Sequence, residues 1–118
     1  MLLLDARGAA RYRGEAEPID PVAGHIPGAI NRPYTENLAP DGLFLSPPQL
    51  RQAFAGLGVT PDLPRPVVSQ CGSGVTACHN LLALEVAGLP GGVLYPGSWS
   101  EWCADPARPM VRGPAASR

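Results

Sequence analysis

The chain has 118 residues, with nine arginines, no lysine, ten acidic residues and two histidines, for a formal net charge of −1. Such a near-neutral balance, with the two signs interspersed, supplies no basic face for nucleic acid and no polybasic run for an anionic lipid surface. One domain is the expectation at this length, and apolar runs such as Leu2-Leu3-Leu4 are too short for a membrane span or a signal-peptide core. Glycine (14) and proline (15) approach the range of low-complexity disorder, but a hydrophobic content of 45% argues for a packed domain. Three cysteines, Cys71, Cys78 and Cys103, are an odd number without a C-x-x-C pair, which fits neither a disulfide framework nor a zinc site. No metal or organic cofactor is expected, and the cysteine usage points to a reducing, cytoplasmic compartment.

In chain order, Leu2-Leu3-Leu4 ending in Asp5 reads as a buried strand with polar residues at its C-terminal end, and Gly8 to Tyr12 as a short helical piece. Residues 14 to 42 are rich in Gly, Pro, Asn and Asp and read as loop, with one small strand at Ala29-Ile30-Asn31. Ser46-Pro47-Pro48-Gln49 supplies an N-cap, a proline at the first helical position and a capping-box glutamine, ahead of Leu50, Phe54 and Leu57 at helical spacing. That helix should end near Gly56 or Gly58. Pro66 to Gln70 reads as a strand, residues 71 to 76 as a Gly-containing turn, and residues 76 to 87 as a helix that is apolar over most of its circumference and therefore buried on a sheet, Cys78 with it. Val93-Leu94-Tyr95 is the next strand and Ser98 to Cys103 a short helix. Strands alternating with helices predict an α/β domain with a doubly wound parallel sheet over residues 1–104, followed by a Pro/Gly-rich tail over 105–118.

In open α/β sheets the functional crevice lies at the C-terminal ends of the strands. Cys71 falls there, followed by a turn whose successive N–H groups, from Cys71 to Thr76, can point inward and whose helix adds its positive end. A thiol so placed is favoured as the nucleophilic thiolate, and Ser73 and Thr76 could add hydroxyl donors. Phosphate monoester hydrolysis would need an arginine six residues after the cysteine to clamp the transferring oxyanions. That position is Ala77. The same cradle can instead accept a sulfane sulfur as Cys71–S–S⁻, which needs no arginine in the loop.

Four segments in order carry a resemblance: Asp5-Ala6-Arg7 with Arg11-Tyr12-Arg13-Gly14, Gly24-His25-Ile26-Pro27-Gly28-Ala29-Ile30-Asn31, Cys71 through His79, and Tyr95-Pro96-Gly97-Ser98-Trp99-Ser100-Glu101-Trp102. Over residues 2 to 103 the chain resembles the catalytic C-terminal domain of rhodanese-family sulfurtransferases, and its Cys-Gly-Ser-Gly-Val-Thr loop is similar to the 3-mercaptopyruvate type. Thiosulfate-preferring members carry basic or bulky residues where this chain has Gly72 and Ser73. The resemblance implies Cys71 as nucleophile, Arg11 as the grip on a donor carboxylate, and Gly72, Ser73, Gly74, Val75 and Thr76 as the loop around the sulfur. It implies Asp5 and Arg7 as a structural ion pair beside the site. Its small-molecule partners would be a sulfur donor (3-mercaptopyruvate or, alternatively, thiosulfate) and cyanide or a thiol as acceptor. The rival reading is a non-catalytic rhodanese-like sulfur-carrier or interaction module.

Two departures accompany the resemblance. Mercaptopyruvate-type members have a second substrate arginine, which falls at about Asp20 here, where an acid would repel an anionic donor. Members of this type also usually carry two such domains, with a proton relay drawn partly from the other, N-terminal rhodanese-like domain. The chain starts at its first strand, without the strand and helix that the family places before it, so it reads as a C-terminal half or a shortened member, with an exposed sheet edge or apolar patch. His25 in its turn and His79 on its helix read as structural residues, and Trp99, Glu101 and Trp102 as a packing and capping cluster.

Overall fold

Three leucines in a row at the start of the chain make a strand that is apolar on both sides, which suits it to the interior of a parallel sheet covered on two faces. A computed structural model describes residues 2–18, 20, 22–63, 66–72, 76–89 and 91–113. Their four strands are β1 (Leu2–Asp5), β2 (Ile30–Asn31), β3 (Val67–Gln70) and β4 (Val93–Leu94). They alternate with α1 (Ala9–Arg13), α2 (Pro47–Ala55), α3 (Ala77–Val86) and α4 (Ser98–Trp102), and a 3-10 turn spans Tyr34–Asn37. The strands pair in the order β2-β1-β3-β4, all parallel.

Alternate residues of β1 serve different cores. Leu4 packs with Ile30, Leu50, Phe54, Val67 and Leu84, under α2 and α3. Leu3 faces the second cluster, which holds Tyr12 from α1 and Trp99 and Cys103 from α4 and its end. Helices therefore cover both faces, as a doubly wound sheet requires. The α2 start has the anticipated capping box, with the Gln49 backbone N–H donating to Ser46 Oγ and the Gln49 side chain accepting from the Ser46 N–H.

The expectation for the helix after Cys71 needs correction. In α3 only Ala77, Asn80, Ala83 and Leu84 are buried, at helical spacing, whereas Leu82 is 54% exposed and Cys78 is exposed. Near-uniform hydrophobicity leaves the buried face undefined in sequence, and packing on β3 and α2 selects it.

The second face is incompletely covered. Leu3, Val68 and Leu94, one from each of three adjacent strands, floor a groove of about 690 Å³ rimmed by Ile26, Tyr95 and Trp102. Beyond α4 the chain turns back over the molecule. Val111 makes an antiparallel bridge with His25, and the Arg112 guanidinium donates to the Gly14 carbonyl at 2.6 Å. Gly24, at φ 129°, is required there, since a Cβ would run into the Val111 carbonyl.

Candidate active site

In the order β2-β1-β3-β4 the connections from β1 and β3 leave in opposite directions, which opens a crevice at the carboxyl ends of these two central strands. Asp5, Ala6 and Arg7 come from the end of β1 and Cys71 from the end of β3. Cys71 is 2% exposed and packs with Ala6 and Ala77.

The α4 start fixes the Cys71 backbone. Ser98 Oγ accepts from the Cys71 N–H at 3.0 Å and donates to the Tyr95 carbonyl at 2.9 Å. The Trp99 N–H donates to the Cys71 carbonyl at 2.9 Å, and the Ser100 N–H to that of Gly72 at 2.8 Å. Ser98 is fully buried at φ 54°, the one non-glycine residue with positive φ among those described. Such a conformation costs of order 1–3 kcal/mol and persists where surrounding contacts over-determine it. The Cys71 N–H is thus engaged by Ser98, so an inward-pointing set of donors has to be drawn from the residues after it. Of these, Ser73, Gly74 and Val75 lie outside the described residues. Gly72 is buried, and Thr76 is half-buried at the N-cap of α3, where its hydroxyl makes no capping bond.

Arg11 reaches the loop from α1. Its guanidinium lies against Gly72 so closely that a Cβ at that position would stand 3.0 Å from Nη2. Arg11 Nη2 donates to Glu17 Oε2 at 3.1 Å and stands 3.6 Å from Asp20 Oδ2. Asp20 is in turn held by the Ser100 hydroxyl, which donates to Oδ1 at 2.6 Å, and its own N–H donates to Glu17 Oε2 at 3.0 Å. Asp20, the acid expected to repel an anionic donor, thus stands at ion-pair distance from Arg11.

Behind this ring, Arg7 and Asp5 form a buried pair, Nη2 to Oδ2 at 2.8 Å, and the same guanidinium donates to the Gly24 carbonyl at 2.7 Å and lies 4.9 Å from the centre of the Trp99 ring. The pair links β1, the Gly24 turn and α4 in one contact set. The histidines have structural partners. His25 stacks on Tyr12 at 3.7 Å with its Nδ1 2.7 Å from the Tyr12 carbonyl, and His79 Nδ1 is 3.1 Å from Asn37 Nδ2. Burial pushes the His25 imidazole below its usual range, against the opposing pull of that carbonyl. Burial, reinforced by the Asp20 charge, pushes the Cys103 thiol up. Among the described residues no group of His, Cys, Asp or Glu could hold a metal ion.

Sequence reasoning brought Cys71, Gly72, Thr76, Arg11, Asp5 and Arg7 to the carboxyl ends of β1 and β3 or the segments that follow them. It read the Gly-Ser-Trp segment only as packing and passed over Ser98, Ser100 and Glu17. A buried serine followed by tryptophan carries no spacing signal toward a cysteine 27 positions earlier, and only the β3–β4 pairing brings the two together.

A parallel doubly wound sheet with a cysteine at its central crevice defines an α/β domain of a recurrent kind. The family model of the Rhodanese-like domain matches residues 1–105, and the chain belongs to that family. It is 59% identical over 116 residues to the Pseudomonas aeruginosa protein named "Probable 3-mercaptopyruvate sulfurtransferase", covering 96% of this chain and 39% of that protein. It is 46% identical over 102 residues to the 3-mercaptopyruvate sulfurtransferase of Homo sapiens, covering 85% and 34%. The crystal structure of the Tum1 protein from Saccharomyces cerevisiae superposes with a TM-score of 0.80 at 31% identity, covering 98% of this chain and 40% of that one. The chain thus spans about two-fifths or less of the length of these relatives.

Proposed function

We propose that the protein is a sulfurtransferase that moves a sulfane sulfur from 3-mercaptopyruvate through a Cys71 persulfide to cyanide or a thiol. The observation that carries this reading is the placement of Cys71 at the end of β3 with the Arg11 guanidinium against the neighbouring Gly72. The names of the relatives at 46% and 59% identity support the reaction class. In the first half-reaction the Cys71 thiolate attacks the donor sulfur, an S–S bond forms and the C–S bond breaks. The electron pair left on carbon takes up the donor's thiol proton, giving pyruvate. In the second, cyanide attacks the outer sulfur, leaves as thiocyanate and returns the thiolate.

Arg11 holds the donor carboxylate in this scheme, residues 72–76 surround the transferred sulfur, and Asp5 and Arg7 order the loops. Residues 1–104 form the catalytic domain and 105–118 its tail. A cytoplasmic location accords with the cysteine usage, and no described helix is long and apolar enough to cross a membrane. A second reading, thiosulfate as donor, draws on the 43% identity over 103 residues to the thiosulfate sulfurtransferase of Mus musculus. Neutral Gly72 disfavours it, because thiosulfate carries two charges and gains from cations beside the cysteine.

The test is thiocyanate formation from cyanide with each donor, on the parent chain and its Cys71→Ser form. Faster turnover with 3-mercaptopyruvate that vanishes in C71S is the expected result. Turnover that survives C71S would overturn the nucleophile. Intact mass after incubation with donor separates a carrier from a binding module: a reductant-sensitive gain of one sulfur is expected, and no gain would leave only the module.

A further inference from the structure

We infer that Asp20, pinned by Ser100, is a specificity-determining residue that sets the charge of the sulfur donor by withholding Arg11 from dianions. The inference rests on the sulfurtransferase reading and refines its substrate class.

A closed ring of contacts carries it. Arg11 lies on Gly72, the Gly72 carbonyl accepts from the Ser100 N–H, the Ser100 hydroxyl donates to Asp20 Oδ1, and Asp20 Oδ2 faces Arg11 Nη2. The Arg11 charge is therefore shared between two nearly buried carboxylates, Glu17 at 5% and Asp20 at 8% side-chain exposure. The connected set Asp5, Arg7, Arg11, Glu17 and Asp20 holds three formal negative and two formal positive charges.

The two carboxylates do not hold Arg11 in the same way. Glu17 makes a hydrogen bond, whereas Asp20 stands at ion-pair distance only, and both Asp20 Oδ2 and Arg11 Nε are buried without a hydrogen-bond partner. The Asp20 contact is thus the loosest link in the ring, and an incoming anion that draws on Arg11 competes with Asp20. Ser100 keeps the displaced carboxylate from retreating, so the bound donor remains beside a fixed negative charge. That repulsion grows with donor charge, and burial reduces its screening. A monoanionic carboxylate is tolerated and a dianion is penalised about twice as strongly.

The variants are Asp20→Asn, which removes the charge, and Ser100→Ala, which releases it. Turnover with 3-mercaptopyruvate and with thiosulfate is compared across a range of ionic strength. In D20N, kcat/KM for thiosulfate should rise about tenfold and that for 3-mercaptopyruvate about threefold, through KM rather than kcat. S100A should move the ratio the same way by less, and salt should narrow the difference between parent and variants. An unchanged donor ratio in both variants would overturn the inference, as would a loss of kcat shared equally by both donors.

Protection of Cys71 from iodoacetamide by pyruvate or by sulfate measures the same selectivity without turnover. The parent should be protected better by pyruvate and S100A more evenly by the two. This readout decides if D20N does not fold. It also separates the two proposals: absence of transfer with either donor defeats the sulfurtransferase reading, while equal protection of the parent by both anions defeats the charge filter.

Discussion

Ser98 occupies a left-handed backbone conformation that costs a β-carbon-bearing residue free energy, and it recovers that cost through two hydrogen bonds, the buried one to the Cys71 amide. Ala at this position keeps the backbone penalty and loses both bonds, whereas Gly loses the bonds and relieves the backbone. Ser98→Ala should be destabilised by about 1–3 kcal/mol and Ser98→Gly by less, in urea unfolding. The reverse order would mean that the backbone at 98 is unstrained. His25 supplies a pH dependence. Its folded-state pKa lies below the unfolded value of about 6.5, so below that pH the unfolded chain binds more protons and stability falls as the medium is acidified, levelling off below the folded pKa. An NMR titration of the His25 ring should place its midpoint below 6.5; a midpoint above would reverse the sign. Cys103, 4% exposed and with its thiol pushed up by burial, should escape alkylation at neutral pH while exposed Cys78 reacts, as peptide mapping would show.

At the scale of elements, the ends of α2 were the most legible part of the chain, because capping is local chemistry: Ser46, Pro47 and Gln49 state where the helix begins without reference to anything distant. Ser46→Ala should cost about 1 kcal/mol by urea titration, and no change would show that the capping box is replaced by solvent. The α3 span was equally legible, but its orientation was not. Its residues are apolar nearly all round, so which of them are covered depends on where β3 and α2 lie, and Cys78 and Leu82 end up outside. For α4 the sequence showed a helix with two tryptophans and hid its main contact, the bond network to Cys71 and Gly72, since those partners are adjacent only once β4 has paired with β3.

At the scale of the whole molecule, the half-covered face of the sheet has a consequence for solution behaviour. Leu3, Val68 and Leu94 are only partly buried beneath an open groove, and an apolar surface of that kind on a parallel sheet favours contact with another apolar surface. Sedimentation velocity at rising protein concentration should show self-association, and a monodisperse monomer throughout would count against it. The alternation of short strands with helices, the cysteine at a strand end and the family motifs were determined by the sequence alone, because each depends on residues within a few positions of one another. Tertiary structure decided the rest: that Asp20 stands against Arg11, that Ser100 holds it, and that Ser98 takes the Cys71 amide. Those contacts join residues 9, 80 and 27 positions apart, and charge and hydrogen-bond partnership at such separations follow from how the chain packs, which no local pattern encodes.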